Sequence, residues 1–234
     1  MPDLLGALLR RRGWPAWAGL HDGAARRGAG VSAGPDTAAP GRAAEAVVAR
    51  GRIVLETSRL RLRELQLVDA PFVLRLLNDP SFLRYIGDRG VRNLAEARRY
   101  IGRGMLDSYA RHGFGLWLVE LPAEAGRPIG LCGLVSRDGL PAPDIGFAFL
   151  PAWWSQGYAH EAAAAVMAHA RRVLGLRRVL AIASPHNASS LRLLRKLGFA
   201  YERDVLMPGD SDPVAMFVQH LPFDDDDGRE APTP

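Results

Sequence analysis

The chain is almost devoid of cysteine and lysine. Cys132 is its only cysteine and Lys196 its only lysine. A single thiol closes no intramolecular disulfide, which fits a reducing, cytoplasmic setting. Cys132 lies within Ile129-Gly130-Leu131-Cys132-Gly133-Leu134, a predicted buried strand with no base nearby. It reads as a packed thiol and not as a nucleophile. Long apolar runs are missing too, and nothing approaches the roughly 18 residues of a membrane-spanning helix. The histidines (His21, His112, His160, His169, His186, His220) show no metal-ligand spacing, so no metal is expected. The net charge of +5 is modest and does not point to nucleic acid.

At 234 residues the chain suits one domain with a substantial core, plus tails. Residues 1–52 are rich in alanine and glycine and carry few pattern runs. Arg10-Arg11-Arg12 follow a short apolar patch instead of preceding it, the wrong order for a secretory signal. This segment is expected to be a disordered extension. A basic arm on RNA is the alternative, disfavoured because acidic residues interrupt the arginines. The domain is expected over 53–222, with a solvated acidic tail over 223–234 that contains Asp224-Asp225-Asp226-Asp227.

Within the domain the periodicities alternate. Leu60, Leu62 and Glu64 predict one face of a strand, with Arg59, Arg61 and Arg63 on the other. Asp69 reads as the cap of a helix reaching Leu77, with Pro71 in its first turn. Asn93 and Glu96 form a capping-box pattern that opens a helix toward Ala110, weakened by Gly102 and Gly104. Strands are predicted over 115–121, 128–135 and 144–150, then a long helix over 157–174. A strand from Arg178, a helix from Asn187 and strands over 200–206 and 214–220 complete the pattern.

The most informative stretch is Pro151-Ala152-Trp153-Trp154-Ser155-Gln156-Gly157-Tyr158-Ala159-His160-Glu161-Ala162. It leaves an apolar strand, turns tightly and enters an alanine-rich helix. The first N–H groups of such a helix lack intrahelical partners, and the positive end of its dipole lies behind them. They form a polyphosphate site, and the small Gly157 and Ala159 allow close approach to the backbone. A second unit follows: a buried strand at Val179-Leu180-Ala181-Ile182-Ala183, then Asn187-Ala188-Ser189-Ser190, a helix, and Gly198-Phe199.

Together these segments resemble the GNAT superfamily of acyl-CoA-dependent N-acetyltransferases. The RimJ/RimL branch is similar in particular: its loop commonly runs Trp-Gly-x-Gly-Tyr-Ala-x-Glu-Ala, against Trp154-Ser155-Gln156-Gly157-Tyr158-Ala159-His160-Glu161-Ala162 here. Its opening strand matches Thr57-Ser58-Arg59-Leu60-Arg61-Leu62-Arg63. The resemblance implies an α/β (α+β) GNAT acyltransferase fold: a mixed, mostly antiparallel sheet of about seven strands, splayed at the CoA site and flanked by helices. It implies acetyl-CoA as cosubstrate, with pyrophosphate on the backbone of Ser155, Gln156, Gly157, Tyr158 and Ala159, flanked by Trp154 and His160. Pantetheine would run along Ala148, Phe149 and Leu150, as an added strand would. Asn187 would reach the pantetheine amide or support the loop, and Ser190 the phosphate end; an N-cap role for Asn187 is compatible with either.

Acyl transfer to nitrogen needs a neutral amine. Asp144 opens the strand facing the thioester, at a position resembling that from which the histone-acetyltransferase branch presents its glutamate. It is a candidate general base or a polar strand-start residue. Leu194 stands where many members place a tyrosine acid. The acceptor, a protein N-terminus or a small amine, is expected over the first helices and their connector, near Arg84, Tyr85, Asp88 and Arg89. A monomer or homodimer is expected, with no membrane partner. The rival reading is a non-catalytic acyl-CoA-binding module.

Overall fold

A computed structural model describes residues 51–208 and 212–222. The expected disordered extension, apart from its last two residues, and the expected acidic tail lie outside the described residues. A hairpin opens the domain, β1 (Ile53–Glu56) with β2 (Arg61–Arg63). A helical layer follows: α1 (Ala70–Leu77), α2 (Pro80–Tyr85), α3 (Leu94–Tyr100) and α4 (Asp107–His112). Then come β3 (Leu116–Leu121), β4 (Arg127–Val135), β5 (Asp144–Phe149) and the long helix α5 (Tyr158–Arg172). β6 (Arg178–Ala183), α6 (Ala188–Lys196), β7 (Ala200–Val205) and β8 (Val214–His220) complete the described residues.

The strands form one eight-stranded sheet in the order β1-β2-β3-β4-β5-β6-β8-β7. Its pairs are antiparallel except β5–β6, which is parallel. The extra strand over the expected number is β1, whose four residues are too few to show alternation. It is anchored early: Glu64 N–H donates to Arg52 O at 2.9 Å, and Gly51 lies against Glu64 O, where no Cβ would fit.

Alternation along the central strands builds two cores. Trp117 and Val119 of β3 face α5, where they join Leu60, Leu62, Val166 and Phe217. Leu116 and Leu118 face α1–α4, among Val73, Leu76, Ile101 and Met105. Each fully buried leucine in these layers contributes about 2 kcal/mol of transfer free energy.

Two helix expectations need correction, at Asp69 and toward Ala110. Arg63, on the strand face opposite Leu60 and Leu62 as expected, is buried. Its Nε donates to Glu120 Oε1 at 2.8 Å, and both Nη atoms donate to the Asp69 carboxylate at 2.8 Å. The helical layer covers that face, so a charge there survives only when paired. Asp69, in turn, makes no side-chain cap bond to α1; its carboxylate is taken by Arg63 and by the Gln66 N–H at 2.8 Å. The helix expected to run to Ala110 also changes character. α3 starts on Asn93, whose side chain accepts from Glu96 N–H at 3.0 Å, but Ile101–Leu106 widens into a π-helix before α4. Gly102 and Gly104 lie in that segment, where weak helix preference permits the wider turn.

The feature that positions a site is the seam between β5 and β6. Their ladder holds one register pair, Asp144 with Leu180, backed by Leu180 N–H donating to Pro143 O at 2.9 Å. Beyond it the strands part, and the edge of β5 from Ile145 to Phe149 faces a gap.

Candidate active site

Two adjoining cavities fill that gap. The outer one, about 330 Å³, is lined by Ala148, Phe149, Trp154, Ser155, Gly157, Tyr158, Ala159, His160, Asn187 and Ser190, among others. Ten of the twelve positions expected to hold a cofactor therefore meet at one cavity. The other two do not line it. Leu150 is buried in the core against α1–α4, and Gln156 folds its side-chain amide back onto Ala152 O at 3.0 Å.

The turn into α5 owes its shape to two left-handed residues, Ser155 (φ 60°) and Gly157 (φ 82°). Ser155 occupies a conformation that a glycine adopts without cost, at the position where the resembling loop commonly has glycine. The first intrahelical bond runs from Glu161 N–H to Gly157 O, so the N–H groups of Tyr158, Ala159 and His160 precede it. Trp154 is an anchor here: its Nε1 donates to Phe149 O at 2.7 Å.

A network whose role sequence reasoning missed holds this turn in place. Glu161, in the first turn of α5, accepts from Thr57 Oγ1 (2.6 Å), Ser58 Oγ (3.2 Å), Arg59 N–H (3.0 Å) and Arg59 Nε (2.7 Å). Arg59 Nη1 also donates to Gln156 O at 3.0 Å, and the guanidinium stacks 4.5 Å over the Tyr158 ring. These bonds hold the Glu161 carboxyl below its ordinary range despite partial burial. The two sequence signatures, more than a hundred residues apart, are thus one physical object. The signal was present in both motifs; only their contact was hidden.

The inner cavity, about 130 Å³, lies where the strands begin to part. Asp144 lines it, almost fully buried, with Oδ1 accepting from Arg137 Nε at 2.8 Å. Asp144 Oδ2 is buried with no hydrogen-bond partner. Burial pushes this carboxyl above its ordinary range, and Arg137 opposes the rise. Tyr85 lines both cavities and Arg89 the inner one. Arg84 stacks on Tyr85 at 5.2 Å, and Asp88 pairs with Arg92; neither lines either of these two cavities. Asn187 caps α6, accepting from Ser190 N–H at 3.1 Å, and both residues line both cavities. Leu194 lines the inner one with an apolar side chain.

Residues 59–200 match the acetyltransferase (GNAT) domain family. The chain belongs to the GNAT family. The uncharacterized N-acetyltransferase p20 of Bacillus licheniformis is 28% identical over 150 residues, 63% of this chain and 83% of that protein. A putative GNAT-family acetyltransferase from Bordetella pertussis superposes with a TM-score of 0.61 at 25% identity, covering 72% of this chain and 99% of that one. The structure of RimL, a ribosomal L7/L12 alpha-N-protein acetyltransferase, gives a TM-score of 0.61 at 19% identity, over 73% and 94% of the two chains. This GNAT protein is accordingly an acyltransferase of the N-acetyltransferase type. Among its described residues, no helix is long and apolar enough to cross a membrane.

Proposed function

We propose that this GNAT protein transfers an acetyl group from acetyl-CoA to a primary amine by direct attack in a ternary complex. The observation that carries the reading is the coincidence, in one gap, of the parted β5–β6 edge and the left-handed turn into α5. The residues fit the cosubstrate. Backbone N–H groups from Ser155 to His160 would hold the pyrophosphate, and the free edge around Ala148 and Phe149 the pantetheine. When bound, acetyl-CoA supplies an acetyl group activated as a thioester.

The protein's own part is proton handling and placement. Asp144, with its carboxyl raised by burial, takes a proton from the acceptor ammonium, directly or through water, while Arg137 fixes its orientation. The freed lone pair attacks the acetyl carbonyl, the C–N bond forms and the C–S bond breaks. Leu194 offers no proton, so the departing thiolate is neutralised from water or from the attacking amine. Most of the rate then comes from positioning. The loop sequence and the RimL likeness support a place beside the RimJ/RimL branch, with a peptide α-amine or a small amine as acceptor.

Thiol release from acetyl-CoA, followed across an amine library with mass detection of products, tests this reading. Acetylated amine with stoichiometric free thiol is expected. Failure of acetyl-CoA to bind in calorimetry would overturn it.

A further inference from the structure

The outer cavity carries cationic side chains and no carboxylate. Its ionisable lining comprises His160, Arg192 and the phenols of Tyr85 and Tyr158, beside serine hydroxyls and the Asn187 amide; no aspartate, glutamate or lysine lines it. The place of His160 and Arg192 along the groove is informative. On α6, Asn187 and Ser190 line both cavities, whereas Ser189, Arg192 and Leu193 line the outer one alone. On α5, His160 likewise lines only the outer cavity. Both residues therefore belong to the end of the groove away from Asp144, and they come from two different helices.

Arg192 is oriented by its own helix. Its Nη2 donates to Ser189 Oγ at 3.2 Å, one turn back toward the start of α6, where a second cavity-lining side chain waits. Among the described residues no carboxylate pairs with Arg192. Arg59, the other guanidinium at this end, is committed to Glu161 and to Gln156 O. Arg195 and Lys196, further along α6, line neither cavity. Arg192 is exposed, so water meets its charge while the cavity is empty. The arrangement costs little and leaves the fork of the guanidinium ready for an anion.

Backbone N–H groups at the turn into α5 account for the pyrophosphate of the proposed donor. That donor carries a third phosphate, on its ribose, at the end remote from the thioester. With the thioester placed toward Asp144, the ribose lies toward the end that holds Arg192 and His160. We infer that Arg192, oriented by Ser189 and with His160 as a second donor, receives the ribose phosphate and makes it a requirement for tight binding. The inference rests on the proposed use of acetyl-CoA and assigns residues to a part of that molecule that the loop does not read. A pantetheine thioester without this phosphate, such as one attached to a carrier protein through phosphopantetheine, is then a weak ligand. The donor class is free acyl-CoA.

Calorimetry of CoA and dephospho-CoA with wild type, Arg192→Gln, Arg192→Lys and Arg195→Gln tests this without turnover. Wild type should bind CoA about five- to tenfold more tightly than dephospho-CoA, the scale of a charge-assisted contact discounted for solvent exposure. Arg192→Gln should bring that ratio near one by weakening CoA, and Arg192→Lys should restore part of it. Arg195→Gln removes the same charge from the same helix outside the cavity and should leave the ratio as it is. Equal affinity for both forms in wild type, a ratio unmoved by Arg192→Gln, or an equal drop in Arg195→Gln overturns the inference and leaves acetyl transfer standing. An Arg192-dependent ratio without thiol release across the amine library would instead overturn the transfer reading and uphold this one.

Discussion

The two ends of the groove are built by different means. At the outer end the proposed phosphate site is made of backbone: N–H groups at the start of α5, held by two left-handed residues and the Glu161 network. At the inner end the proposed acceptor site is made of side chains drawn from distant segments: Arg89 after α2, Arg137 after β4 and Asp144 on β5. A backbone site recognises what every acyl-CoA shares. A side-chain site recognises what distinguishes one amine from another, and only a few residues must change to alter it.

The contrast is tested most severely at Gly157. A valine there must adopt φ near 82°, a strain of about 1–3 kcal/mol, and its Cβ would press on Arg59 Nη2 at 3.3 Å. With the N–H groups displaced as well, acetyl-CoA affinity should fall on the order of a thousandfold. Calorimetry measures it, with circular dichroism to check the fold. Unchanged affinity would mean that the outer end is not a phosphate site.

Asp144→Asn probes the inner end. Loss of a general base should lower kcat at neutral pH by about a hundredfold while acetyl-CoA still binds. The carboxyl lies above its ordinary range, so wild-type activity should fall as pH drops through that raised value, because protonated Asp144 accepts no proton. The mutant should lose this limb and recover at high pH, where free amine forms unaided. A mutant profile parallel to wild type would return Asp144 to a structural role.

The smallest effect is expected at Glu161→Gln, which loosens the network without touching the N–H groups. Partly exposed ion pairs contribute little, so KM for acetyl-CoA should rise only about three- to tenfold with kcat nearly unchanged. An effect on kcat alone would place Glu161 in the chemistry instead of in support of the loop.

The difference in construction also explains what could be read from the chain. A turn that needs left-handed backbone and close approach restricts residue type at consecutive positions, so Gly157, Ala159 and the helix after them stand out in sequence. The strands and α5 were legible for a similar reason, since alternation and helical period persist over many residues. Arg137 and its contact with Asp144 were not legible. The pair forms only when β4 and β5 align, with Val135 opposite Asp144. The pairing of Arg63 with Asp69 and Glu120 was not legible either, because strand period reports which face a residue occupies, but not what a later helix lays over that face. Arg84 and Asp88 share the connector with Tyr85 and Arg89, and only the fold separates those that line a cavity from those that do not.

The single ladder pair between β5 and β6 has a mechanical consequence. On the α5 side one continuous core, including Ile145, Phe149, Val179 and Phe217, spans both halves of the sheet. Past Asp144 the strands stand apart. The sheet is therefore bound like a book, with its spine at the Asp144–Leu180 pair and its pages opening toward the start of α5. The unpaired inner edges of β5 and β6 are expected to exchange amide hydrogens faster than the paired edges of the same strands. A ligand laid between the pages would supply the missing ladder and make the two halves exchange as one unit.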